Sequence, residues 1–276
     1  MALKSLLVHL PSKVLAPNTL DAATNLASKH GAHLTGLHLM LDFPPYGDLS
    51  IVPADVWNAY KKPQREEAAA IKDMFEKAVA AKNIPADWRS FEVYFDNAVE
   101  FINTQALSYD LLIVGKTNTD AAGSTMPPER LILEGGRPVL VVPDAPYPSI
   151  GTRIMIAWNN SRESARAVFE AMPLLEAASM VKVLAVNPDG RNDVKDLESG
   201  QVLAETLKRH GVKASAAETF TEEASVGELL LSRIADEGCD LLVMGCYGHS
   251  RLREMVFGGV TRHVMTHATV PLFMTH

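Results

Sequence analysis

Two copies of one hexapeptide pattern, DLLIVG at 110–115 and DLLVMG at 240–245, constrain this chain more than any other feature. Each copy is an aspartate, an apolar run and a glycine. Each is followed by a loop, a helix-forming stretch and an apolar run beside a proline–valine pair, RPVLVVP at 137–143 and TVPLFMTH at 269–276. Upstream, LLVHL at 6–10 corresponds to IMIAW at 154–158. These runs lack the strict alternation of a half-exposed strand, so they suit strands buried on both faces of a parallel sheet. Between them lie helical patterns such as SRESARAVFEAMPLLEAA at 161–178, with Ser161 positioned to cap. Strand and helix alternate through each half, which predicts an α/β fold with a doubly wound parallel sheet, twice over. DAPYPSIG at 144–151 interrupts any regular element, so the expected domains are residues 1–147 and 148–276.

The two copies differ in the loop that follows. In the second half it reads GCYGHSRLREMVFGGVTRHV, with Gly245, Gly248, Gly258 and Gly259 around a short helix-forming run. Ligands of open parallel sheets sit beyond the carboxyl ends of the strands, where Gly245 ends the fourth strand of its half. Glycines let an anion approach bare backbone N–H groups. The final helix then offers further unpartnered N–H groups, that of Val260 among them. Arg251, Arg253 and Arg262 add positive charge. The expected ligand is a phosphate group; the plain alternative is a loop that needs only tight turns. The first-half loop, GKTNTDAAGSTMPPERLIL at 115–133, has Asn118 in place of Gly248 and Pro127 and Pro128 at the helix entry. Proline has no N–H to offer, and Glu129 supplies its own carboxylate to the helix start. One phosphate site per chain is expected.

On these residues the chain resembles a tandem universal stress protein, with two UspA-type domains covering nearly all 276 residues. Nucleotide-binding members carry a Gly-x2-Gly-x9-Gly-Ser/Thr loop, matched here by Gly245, Gly248 and Gly258. The resemblance implies two five-stranded parallel sheets in strand order 3-2-1-4-5, whose last strands meet in an internal pseudo-dimer. It implies an adenine nucleotide, ATP with or without Mg2+, bound in the C-terminal half of a stress-signalling binding module. Asn159 stands where the family commonly has an aspartate against the nucleoside, and the backbone of Val186 corresponds to the group that reads adenine. Gly259 replaces the family's hydroxyl residue, at a cost of ~0.5–1.5 kcal/mol for one lost hydrogen bond; Thr261 is the nearest substitute. Pro11, where the first half would have the nucleoside contact, marks that half as silent. A slow ATP hydrolase and a scaffold without nucleotide stay open as alternatives, and no nucleophile–base constellation accompanies the loop.

Other residues carry two readings each. His249 lies inside the loop and either meets the nucleotide or faces water. Cys246 sits near a helix start, where a thiol pKa can fall, or is packed as a small residue. His263 and His267 have a zinc-compatible spacing, but with no third ligand near in sequence no metal is expected. LDFPPYGDLSIVPADVWNAYKKP at 41–63 lengthens the first half and reads as a flap over its cleft, or else as a lid or partner surface. The net charge of −7 argues against nucleic acid. No apolar run approaches the ~20 residues of a membrane span. MALKSLLVHLPSK is too short an apolar start for a signal peptide, so a cytoplasmic chain is expected. Cys239 and Cys246, at opposite ends of one strand, are too far apart to bond. A homodimer beyond the pseudo-dimer stays open.

Overall fold

The predicted alternation of strand and helix is what the backbone forms. The computed structural model describes residues 2–42, 53–116, 127–147, 149–187, 194–220, 225–246 and 259–276. By their contacts they form two compact units, one of Leu3–Arg137 and one centred on Pro138–His276.

The first unit runs β1 (Ser5–His9), α1 (Ala16–His30), β2 (His33–Asp42), α2 (Ala54–Ala81), β3 (Ala86–Tyr94), α3 (Ala98–Ala106), β4 (Leu111–Gly115) and α4 (Pro128–Glu134). Its strands lie in the order β3-β2-β1-β4, all parallel. Leu6, Leu7, Val8, Leu111 and Ile113 have no exposure, as strands covered on both faces require. The helix α1 stops at Gly31, whose φ of 59° lets its N–H return to Ala27 and Ser28 carbonyls.

The second unit contains β5 (Val139–Val142), β6 (Arg153–Trp158), α5 (Arg162–Glu170), α6 (Met172–Ala177), β7 (Met180–Asn187), α7 (Val194–Arg209), β8 (Ala214–Phe220), α8 (Val226–Asp236), β9 (Leu241–Gly245), α9 (Gly259–His267) and β10 (Leu272–Thr275). Strands β8-β7-β6-β9-β10 are parallel, and β5 joins the edge antiparallel through Leu272 opposite Val141. The five parallel strands expected of this half are present, but the sheet does not stop at five, because β5 adds an antiparallel strand. Backbone donors and acceptors at the outer edge of β10 would otherwise be left open, and the last strand of the first repeat fills them.

Two helices differ from their sequence reading. Residues 161–178 form α5 and α6 rather than one helix, because Pro173 lacks the N–H that a continuous ladder would need. The 41–63 stretch is not all loop: from Ala54 onward it is the start of the 28-residue α2, with Pro63 inside. Ser161 does cap α5, its Oγ accepting from the Ser164 N–H at 3.1 Å.

Candidate functional site

In the second unit the chain winds outward from β6 in both directions, so the sheet's switch point lies between β6 and β9. Three predicted residues sit at the carboxyl ends of these neighbouring strands. Asn159 directly follows β6, Gly245 ends β9, and Val186 lies near the end of β7. Register puts Trp158 level with Ala185, and Ala157 level with Met244. Asn159, Val186 and Gly245 therefore belong to one edge.

Each has a local cause. Asn159 is exposed, and its Oδ1 accepts from the Ser161 N–H at 3.3 Å, which ties it to the start of α5. Asn160 turns the chain with φ 55°, in the left-handed region that Asn tolerates. Gly245 is required by packing: a Cβ there would overlap the backbone of Glu163 and Ser164. That contact brings β9 against the first turn of α5. Gly259, the first residue of α9, has no such constraint, since a Cβ on it would meet nothing within 4 Å among the described residues. Thr261, the nearest substitute hydroxyl, is buried at 5% exposure. Gly248, His249, Gly258, Arg251 and Arg253 lie outside the described residues.

The first unit's corresponding edge is built differently. Gly115 packs as Gly245 does, a Cβ there coming within 2.7 Å of Thr19 Oγ1. The helix α4 opens with Pro127 as N-cap and Pro128 in its first turn, beside Glu129. Above this sheet's carboxyl ends lies α2. Lys61, 1% exposed, pairs with Asp42 at the end of β2 and with Glu92 on β3 at 3.1 Å. Its ammonium also lies 5.3 Å from the Trp57 ring centre. Burial alone would lower the Lys61 pKa, but hydrogen bonds to Asp42 and Glu92 carry it above the ordinary lysine range. Gln64 donates to the Leu41 carbonyl at 3.4 Å, and Glu67 accepts from the Lys13 N–H at 3.2 Å. This docking helix is what sequence reading missed. Its signal was available: Lys61, Gln64, Ala68, Ile71, Phe75 and Val79 recur at helical spacing. Beneath it, burial pushes the His9 imidazole down to about 3, with His38 nearby adding to the shift. The His38 ring Nδ1 lies 2.8 Å from the Leu10 carbonyl.

The remaining candidates lie on α9 and at the two ends of β9. His263 and His267 stack at 4.3 Å, and among the described residues no group of three or more His, Cys, Asp or Glu can hold a metal. Cys239 and Cys246 are buried and form no disulfide, and burial pushes the Cys239 thiol up to about 11. No described helix is long and apolar enough to cross a membrane.

Residues 152–276, which carry this edge, match the model of the universal stress protein family. That half of the chain is thus similar to the family's domain. A universal stress protein of Synechocystis is 28% identical over 174 residues, which are 59% of this chain and 57% of the relative. The chain thus spans little more than half the length of that curated relative. A universal stress protein from Archaeoglobus fulgidus superimposes with a TM-score of 0.72 at 16% identity, covering 98% of this chain and 97% of that one. A protein from Pseudomonas aeruginosa described as functionally unknown gives 0.63 at 15% identity, over 99% and 92%. At such identities these two speak for the fold, and they extend it over the first half as well.

Proposed function

We propose that this chain is a universal stress protein that binds an adenine nucleotide, ATP with or without magnesium, at the β6–β9 switch point of its C-terminal half. Asn159 and the backbone of Val186 would meet the nucleoside. Gly245, Gly248, Gly258, Gly259 and the Val260 N–H would surround the phosphates, with His249 beside them. The observation that carries this reading is that Asn159, Val186 and Gly245 meet at the carboxyl edge of the sheet beside its switch point. In the proposal residues 148–276 form the binding domain and residues 1–147 a UspA-like domain without nucleotide, in a cytoplasmic signalling module. The antiparallel pairing of β5 with β10 supports reading the chain as an internal pseudo-dimer.

Titration calorimetry with ATP tests the site. Gly259→Glu adds a side chain whose Cβ would meet no described atom within 4 Å, so the fold should persist while the carboxylate repels phosphate. Loss of binding with an unchanged circular dichroism spectrum is the expected result. Undiminished binding would put the nucleotide elsewhere.

A further inference from the structure

The first unit holds a polar cavity of about 370 Å3 at the amino-terminal ends of its strands, within the size range of small-molecule sites. We propose that it binds a small, uncharged polyhydroxylated molecule of the monosaccharide or cyclitol class. The reading is independent of the nucleotide proposal, which concerns the other unit.

The floor is set by strand register. Ser5 pairs with His33, and Thr35 pairs with Asp87. His33 and Thr35 are two residues apart, as are Asp87 and Arg89, so all five share one face of the sheet. The opposite face is occupied, with Trp88 against Phe75 of α2 at 5.3 Å between ring centres. The wall comes from the last turn of α3 and the segment leading to β4, which contribute Thr104, Gln105, Ser108 and Tyr109.

Three properties of this lining select the ligand. Every lining residue has a polar side chain, and there is no aliphatic wall or broad aromatic floor on which a base could stack. The charges cancel, one Asp87 carboxylate against one Arg89 guanidinium. Both are held in place, Asp87 by His33 at 3.3 Å and Arg89 by the Gln105 side-chain oxygen at 3.2 Å. Most telling are the hydroxyls. Among the described residues, those of Ser5, Thr35, Thr104, Ser108 and Tyr109 have no protein hydrogen-bond partner. Thr35 is only 2% exposed, and it meets the outside through this cavity, which it lines. Hydroxyls both donate and accept, Asp87 only accepts and Arg89 only donates. A ligand dense in hydroxyls matches all three kinds of group.

The test follows backbone amide NMR shifts of the full chain during titration with myo-inositol and with glucose. Either compound should give saturable shifts at Thr35, Asp87, Arg89 and Thr104. Thr35→Val keeps the side-chain shape and removes the hydroxyl, so it should weaken binding several-fold. Asp87→Asn is a surface change that the fold should tolerate; it removes a charged acceptor and should weaken binding about tenfold. Absence of saturable shifts, affinity unchanged in both variants, or tighter binding of serine or phosphate than of either polyol would each overturn the proposal.

Discussion

At the scale of single residues, the two repeats keep the same aspartate for a reason unrelated to ligands. Asp110 accepts from the Lys4 and Ser5 N–H groups at 2.7 and 2.9 Å, clamping the start of β1. Asp240, 4% exposed, does the same for β6 through Thr152 and Arg153 and also accepts from the Ser149 hydroxyl. A buried carboxylate that collects backbone donors stabilises the strand start it faces. The aspartate was plain in the repeated pattern, yet its partners lie more than 80 positions away and no local rule points to them. The histidines of the first unit yield a pH prediction. The His9 and His38 pKa values are both lowered by burial, so the folded chain holds them neutral where the unfolded chain would be protonated. Their stabilising contribution is complete above about pH 6.5 and is lost as pH falls toward the folded values, at up to about 1.4 kcal/mol per pH unit for His9. Urea denaturation at pH 7 and pH 5 should show this loss, and His9→Gln should flatten it even if it lowers stability at both. An equal slope in that variant would mean that His9 titrates freely in the folded chain.

At the scale of elements, strands were easier to read than the segments between them. A continuous apolar run reports burial on both faces wherever its neighbours come from. The run at 161–178 was harder, because helical periodicity persists across Pro173 while the hydrogen-bond ladder does not. Residues 41–63 were hardest: proline and aromatics suggested a flap, and polar pairing across the sheet ends makes much of it a docked helix. The reading of a cover over the first half's edge fits that docking. Lys61 is the centre of it. Replacing it with methionine keeps the length of the stem but leaves Asp42 and Glu92 facing an apolar group, and should weaken docking of the first turns of α2 by about 1–3 kcal/mol. Hydrogen exchange should then quicken at residues 57–67, while residues 71–79, which dock through Ile71, Phe75 and Val79, keep their protection. Unchanged exchange at 57–67 would show that the ion pairs do not hold the helix down.

At the scale of the whole molecule, two copies of one fold have come to differ at the edge where such sheets take ligands. The proposed stoichiometry is one ATP per chain. Calorimetry finding two sites of similar affinity would contradict the view that Pro127, Pro128 and the α2 cover leave no phosphate site in the first half. The local pattern was enough to determine the alternation of strand and helix, the duplication, and the glycines at the second loop, because periodicity and backbone freedom are written within a few neighbouring residues. Which strand completes which sheet was decided only in three dimensions. The strand β5 pairs antiparallel with β10 because open backbone donors and acceptors at an edge are satisfied by whatever chain lies beside them, and distance along the sequence does not enter that choice.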